Sequence, residues 1–347
     1  MKQNFQILLF LFFALNFSFA QNQTKLSKKI DSLIENKNPR PFNGVILITE
    51  NGKAKYSKAL GFTNFKTKIP LKMSDQFEIM SNTKQITAVL LLKEVEKGNV
   101  NLNSPIKKYL PFLTQTWADT VTVHQLLNHT HGITDTEKPL LFKAGSDFKY
   151  GNLSNNLLGK IIENASKKSY SELATSLFKE LEMKNTFCYS KNDRRNLVFG
   201  HMNKENKFSV VENSFINDEN LAADGIITTA KDLTIWNSKL HKGKILKPET
   251  YKLMTTSSVL SQHDVFGKEK MGYGYGIRIL EDNGIKYFGH TGLGDGFASL
   301  NIYIPKSDTS LIILENQMNE NSDLYYYYET LIKNLVLKNE LNKKNYR

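Results

Sequence analysis

The sequence predicts an α+β fold in which an antiparallel sheet, flanked by helices from the two chain ends, carries a mostly helical inserted region. Three observations carry that prediction. Apolar or alternating runs of strand length gather at both ends of the chain, helical periodicity fills the middle, and the links between neighbouring end runs are short enough only for antiparallel hairpins. On this reading the sheet part covers about 24–80 and 265–340, and the helical part about 81–264.

The elements follow in order. Residues 1–20 hold one charge, Lys2, then an apolar run from Ile7 to Leu15 and the small-residue end Ser18-Phe19-Ala20, which reads as a cleaved export signal. The run is shorter than the roughly 20 apolar residues of a spanning helix, and no later segment approaches that length, so no transmembrane segment is expected after cleavage. Export to a periplasmic or secreted location is the expectation. The remainder, 21–347, reads as one folded unit.

Leu26, Ile30, Leu33 and Ile34 recur at helical spacing from Thr24 to Lys37, where Asn38-Pro39 ends the pattern. Val45-Ile-Leu-Ile48 and the stretch Ala54 to Phe62 flank Asn51-Gly52, the dipeptide favoured in a two-residue hairpin turn. From Thr83 to Lys97 the chain is apolar on most faces and stops at Gly98, the mark of a buried helix. Val123 to Leu127, Ser154 to Asn164 and Tyr170 to Leu181 continue the helical part. Strand signals return at Tyr273 to Leu280, Ile285 to Gly289, Phe297 to Ile304 and Leu311 to Glu315, parted by Asp282-Asn283-Gly284 and Pro305-Lys306-Ser307-Asp308. A helix from about Asp323 to Leu337, including the tyrosine run 325–328, closes the pattern.

Composition narrows the function classes. The net charge of +12, or +11 without Lys2, is spread along the chain in pairs such as Lys28-Lys29, Lys107-Lys108 and Lys167-Lys168. A nucleic-acid track would cluster its cations with interleaved aromatics, so no nucleic-acid partner is expected. Cys188 is the single cysteine, which rules out an internal disulfide and leaves a thiol nucleophile without support.

Three short motifs point to chemistry. Ser81-Asn-Thr-Lys84 sets a hydroxyl and an amine three residues apart at a helix start, on one face and close enough to share a proton. Ser-x-x-Lys recurs at Ser104–Lys107 and Ser146–Lys149 in loops, and at Ser176–Lys179 inside an amphipathic helix, but only Ser81 precedes a buried helix that can floor a cleft. Read alone, Ser81 is also a good helix N-cap. Tyr150-Gly-Asn152 is the only Tyr-x-Asn among 15 tyrosines, and His290-Thr-Gly292 is likewise unique. In this order the motifs describe a serine acyl-transfer site that needs no cofactor.

These residues resemble the serine β-lactamase and penicillin-binding protein superfamily, in particular the group of class C β-lactamases, D-alanyl-D-alanine peptidases and β-lactamase-like esterases. The resemblance rests on Phe77–Lys84, Val123–Gly132, Tyr150–Asn152 running into Leu157–Ile162, Ala223–Leu233, Gly272–Ile277 and Gly289–Gly292, and covers nearly all of the chain after the leader. It implies a serine hydrolase that forms an acyl-enzyme at Ser81, with Lys84 and Tyr150 sharing the proton transfers. It further implies that Asn152 binds the acyl side of the substrate, that His290, Thr291 and Gly292 lie on a strand lining the cleft, and that the backbone N–H of Leu293 joins that of Ser81 in an oxyanion hole. The implied substrate is a small molecule or peptide, such as one derived from cell wall.

Two departures shape the substrate expectation. Class C enzymes carry Lys-Thr-Gly where this chain has His290-Thr-Gly292, which replaces a permanent cation by an imidazole and favours peptide or ester hydrolysis over lactam hydrolysis. Ala223-Asp224-Gly225 stands where small residues, often Gly-Gly, are usual. A class C β-lactamase and a non-catalytic penicillin-binding-like sensor are the alternatives. Ser154-Asn-Asn156 mimics another Ser-x-Asn motif and reads as a helix cap. His129-Thr-His131, with His124 and Asp135 nearby, raises zinc as a rival, but the stretch reads as a helix end and loop, and no metal site is expected.

Overall fold

The computed structural model describes residues 24–192 and 194–345, so the expected export signal lies outside the described residues. Its centre is an eight-stranded antiparallel sheet made by both chain ends. The N-terminal hairpin pairs β1 (Gly44–Glu50) with β2 (Lys53–Leu60); the C-terminal part supplies β3 (Val259–His263), β4 (Gly267–Tyr273), β5 (Arg278–Asp282), β6 (Ile285–Gly294), β7 (Phe297–Ile304) and β8 (Thr309–Glu315). The spatial order is β3-β4-β5-β6-β7-β8-β1-β2, with β1 set against β8 in the register Ile46↔Ile313. Asn51 and Gly52 take φ of 51° and 71°, the backbone that a type I′ turn demands and that glycine accepts without strain.

Both faces of the sheet are covered, and strand alternation decides which side chain goes where. Ile46, Ile48, Leu300, Ile302, Leu311 and Ile313 point at Ile30 and Ile34 of α1 (Lys25–Glu35) and at Ile332 and Val336 of the last helix. Val45, Leu47, Ile312 and Leu314 face the other way, into a core shared with the helical part. β1 therefore reads as a continuous apolar run because it is buried on both sides.

The helical part is built on α2 (Thr83–Glu96), whose residues from Thr83 to Leu92 are all buried, in keeping with its apolar pattern. Around it lie α3 (Val123–Leu127), α4 (Leu153–Ser166), α5 (Tyr170–Glu180), the single turn α6 (Leu221–Asp224), α7 (Ala230–His241) and α8 (Pro248–Met254). α7 packs on β1 and β8, and its fully buried Trp236 donates through Nε1 to Gln85 Oε1 of α2 at 3.3 Å. The closing helix is α9 (Tyr327–Asn345), which packs on α1.

The expected α+β layout is present, with local differences. The stretch Tyr273 to Leu280, expected as one strand, is broken by a turn closed by a bond from Gly274 N to the Ile277 carbonyl. Gly276 there has φ 64°, and a Cβ on it would come within 2.4 Å of the Lys84 carbonyl oxygen, so the turn presses against the start of α2. The edge strand β3 falls inside the region expected to be helical; half-exposed and polar, it lacks the apolar alternation that marks a strand. Short three-stranded pieces (Phe77–Glu78 with Ile226–Thr228 and Phe187–Cys188; His201–Lys204 with Lys207–Val210 and Met318–Asn319) are likewise too brief to read from pattern. Ser154 is not the cap of α4: Asn152 holds that position without a side-chain cap bond, and Ser154, fully buried, donates back to the Gly151 carbonyl. The closing helix begins at Tyr327, leaving Tyr325 and Tyr326 outside it.

Candidate active site

Ser81 sits in the turn Met80–Asn82 that feeds α2. The turn is fastened to the sheet: Asn82 Nδ2 donates to Ser299 Oγ at 2.8 Å, and Ser299 Oγ donates to the Ile79 carbonyl at 2.8 Å. Strand β6 passes so near that a Cβ on Gly292 would lie 2.1 Å from the same carbonyl oxygen, which explains the glycine of the third motif. Met80, buried and not glycine, takes φ 49°, a conformation that persists only where its surroundings impose it.

Helix geometry brings Lys84 over Ser81, one turn apart. Lys84 is fully buried, and its Nζ donates to Ser81 Oγ at 2.8 Å, to Asn152 Oδ1 at 2.9 Å and to the Ala223 carbonyl at 3.1 Å. Asn152, freed from capping, turns its amide into the site and donates through Nδ2 to Asp224 Oδ2. Asp224 closes the ring: its Oδ1 accepts from Ser81 Oγ at 3.0 Å and lies 3.5 Å from Lys84 Nζ. The close approach of α4 to α6 that delivers Asp224 needs Gly159, where a Cβ would meet that of Ala222 at 2.8 Å. The Tyr150 ring lies beside this cluster, its centroid 5.2 Å from Lys84 Nζ.

The opposite wall is aromatic. His290, on β6 and fully buried, has Nδ1 2.7 Å from the Thr291 carbonyl, which can only accept, so Nδ1 carries the proton and Nε2 accepts from Tyr273 Oη at 3.1 Å. Burial, and then the charges of Arg278 and Lys84, push its pKa well below the usual range, so the ring is neutral and supports the wall. Tyr273 stays a phenol, because burial raises its pKa well above normal. Thr291 Oγ1 meets His263 Nε2 at 3.0 Å; burial, then Arg278, lowers His263 to about 3. Leu293 follows on β6, opposite Ala298. The Tyr150 ring is backed by His129 at 4.7 Å, itself held by Ser154 Oγ at 3.0 Å.

Of the residues expected at the site, Ser81, Lys84, Tyr150 and Asn152 come together, and His290, Thr291, Gly292 and Leu293 share the adjoining strand. Sequence reasoning missed two. Asp224 was noted only as a departure from small residues, and Arg278 went unseen, although it is one of the few arginines in a lysine-rich chain. Arg278 is 3% exposed and lies 5.6 Å from the Tyr150 ring and 5.5 Å from the Tyr273 ring, with Nε and Nη1 unpartnered. A buried guanidinium with open donors bonds most strongly to an anionic group. The rival motifs lead elsewhere. Ser176 and Lys179 are exposed, and Ser146 Oγ donates to the Lys143 carbonyl. Cys188 is buried, which raises its thiol to about 12. Among the described residues, no group of three or more His, Cys, Asp or Glu stands ready to share a metal ion.

Comparison with known proteins decides the family. The Beta-lactamase family model matches residues 31–331. The chain belongs to the beta-lactamase family. With that family it shares the fold. It is similar to Protein flp of Staphylococcus aureus (strain MRSA252), 27% identical over 323 residues, covering 84% of this chain and 63% of that protein. It is also similar to the teichoic acid D-alanine hydrolase of Staphylococcus aureus, 26% identical over 241 residues, covering 64% of this chain and 59% of that one. The chain thus spans less than two thirds of the length of these curated relatives. Among solved structures it is similar to the octameric penicillin-binding protein homologue from Pyrococcus abyssi, with 27% identity, a TM-score of 0.78, and coverage of 90% of this chain and 77% of that one. The D-amino acid amidase from Ochrobactrum anthropi SV3 shares the fold at 21% identity, with a TM-score of 0.79 and coverage of 92% and 100%.

Proposed function

We propose that this beta-lactamase family member is an exported serine hydrolase that acts on a peptide or ester of a D-amino acid through an acyl-enzyme at Ser81. The observation that carries the reading is the meeting of Ser81 Oγ with the buried Lys84 Nζ at 2.8 Å, with Asn152 and the Tyr150 ring beside them. In this mechanism Ser81 attacks the substrate carbonyl, Lys84 and Tyr150 share the proton transfers of the full cycle, and Asn152 holds the acyl portion. The backbone N–H groups of Ser81 and Leu293 hold the oxyanion. No cofactor enters the scheme.

Peptide or ester is put ahead of lactam on the departure from Lys-Thr-Gly: His290 is neutral and turned into the wall, so the strand lacks the cation that class C enzymes carry there. Arg278, with Nε and Nη1 buried without partners near the Tyr150 ring, would favour a substrate carboxylate, which a D-alanyl peptide and a lactam share, so it separates acidic from neutral substrates and not peptides from lactams. The activity that names one relative, a teichoic acid D-alanine hydrolase, points to the same acyl class. The export part rests on the leader pattern of residues 1–20, and fractionation of the native host with detection of the mature protein tests it.

The direct test offers nitrocefin, p-nitrophenyl esters and D-alanyl peptides to the wild type and to Ser81→Ala, with turnover and intact mass as readouts. The wild type gains one acyl mass and turns over an ester or D-alanyl peptide, and Ser81→Ala does neither. A wild type that forms no adduct with any of the three, nor with a fluorophosphonate, overturns the reading in favour of a passive binder.

A further inference from the structure

We propose that His129 is the positioning residue of the Tyr150-Gly-Asn152 segment, which it grips from both sides; its effect on turnover rests on the hydrolase reading above. Tyr150 and Asn152 stand at fixed places beside Ser81 and Lys84, yet the segment that carries them does little to fix itself. A Cβ on Gly151 would meet no atom within 4 Å, and the Asn152 side chain makes no cap bond to α4. The middle of the segment is therefore held by what bonds to its backbone.

His129 supplies that hold through three contacts. It follows the end of α3 with φ 60°, the left-handed conformation that most often falls to glycine after a helix. Its carbonyl accepts from Lys149 N at 2.9 Å, one residue before Tyr150. Its ring, fully buried, packs 4.7 Å from the Tyr150 ring and 5.3 Å from the Tyr273 ring. Its Nδ1 lies 3.0 Å from Ser154 Oγ, and Ser154 Oγ donates to the Gly151 carbonyl at 3.2 Å. One residue thus ties the peptide before Tyr150, the Tyr150 ring and the peptide before Asn152 to the end of α3.

The hydrogens agree with this chain of bonds. The Gly151 carbonyl only accepts, so the single Ser154 hydrogen goes to it and His129 Nδ1 donates to Ser154 Oγ. The opposite assignment would leave the Ser154 and Gly151 oxygens 3.2 Å apart with no hydrogen between them. Asn155 Nδ2 donates to Ser154 Oγ as well, at 3.3 Å, so the buried hydroxyl gives one bond and receives two. Burial above all pushes the His129 pKa well below the usual range, which keeps the imidazole neutral with its hydrogen on Nδ1. Ser154, read from the sequence as a helix cap, is the link between His129 and Gly151. Its loss frees the Gly151 carbonyl, and the displacement passes to Asn152, whose Oδ1 accepts from Lys84 Nζ at 2.9 Å.

The test compares the wild type with His129→Phe, which keeps a ring but cannot donate to Ser154, with Ser154→Ala, and with the double variant. The readouts are the burst of p-nitrophenol from p-nitrophenyl acetate, expressed per site titrated with a fluorophosphonate, the KM of the ester, and thermal melting. We expect the acylation rate per site to fall about tenfold or more in each single variant, with KM changed by less than about threefold. The double variant should fall no more than about threefold below the slower single, because both changes cut the same link. Wild-type acylation per site with earlier melting overturns the proposal and makes His129 core packing; so does a loss confined to KM, and so do losses that multiply in the double variant. If His129→Phe does not fold, Ser154→Ala decides, and a rate within about threefold of the wild type overturns the proposal. A wild type that forms neither burst nor adduct overturns the hydrolase reading alone. Hydrogen exchange over residues 146–156 then decides the positioning: faster exchange in Ser154→Ala than in the wild type supports it, and equal exchange overturns it.

Discussion

The two walls of the cleft are built on opposite terms. On the Ser81 side, Lys84, Asn152 and Asp224 form a closed ring in which the polar atoms of one residue answer those of the next. On the His290 side, aromatic rings surround polar groups that are left open: Nε and Nη1 of Arg278 and Nε2 of His129 are buried without partners. A buried polar atom without a partner costs about 1–3 kcal/mol, so a wall that keeps several is held by its packing against a standing penalty. The contrast teaches that the first wall carries its own hydrogen-bond partners, whereas the second is held by ring packing around polar atoms that have none among the described residues.

The contrast can be broken at its strongest point first. Lys84→Ala removes the donor that fixes Ser81, Asn152 and the Ala223 carbonyl together; ester turnover is expected to fall about 10²- to 10⁴-fold, measured as kcat on a p-nitrophenyl ester. Near-normal turnover would show that the closed wall is decoration. Arg278→Met tests the open wall. Here we expect KM for a D-alanyl peptide with a free carboxylate to rise about tenfold or more, while KM for a neutral ester stays within about twofold, since a hydrogen bond to a charged group contributes roughly 1.5–3 kcal/mol. Equal losses on both substrates would reduce Arg278 to packing.

The smallest effect lies beneath the site. Glu78, three residues before Ser81, is buried, and desolvation together with nearby Asp295 raises its carboxyl to about 8. A carboxyl raised in the folded state contributes its full stability only below its unfolded pKa, and loses it as pH climbs through the folded value. Glu78→Gln should therefore flatten the decline in melting temperature between about pH 5 and about pH 8, with little change at acid pH. An unchanged pH profile of melting would refute this.

How much of this was legible in the sequence follows from range. The hairpin at Asn51-Gly52, the buried helix after Ser81 and the strands β7 and β8 were readable because periodicity and turn chemistry are local. Ser81 and Lys84 were readable because one helical turn fixes their spacing. Arg278 was not, since nothing near it in sequence says that a strand from the far end of the chain lies behind Tyr150. Asp224 could be seen to depart from a small residue, but its meeting with Ser81 depends on the close contact of α6 with α4, which no local pattern announces. The turn at Gly274–Ile277 was hidden by strand-like residues on both sides of it.

The placement of β1 has a consequence for assembly. It fills the slot between β2 and β8, with Ile46 opposite Ile313, so an element made early in synthesis finds its partner only when nearly the whole chain exists. Contacts of such sequence separation are slow to form, because a long loop must close before they reward it. The arrangement around Ser81 should accordingly form late and all at once, leaving a partly made polypeptide without an assembled site.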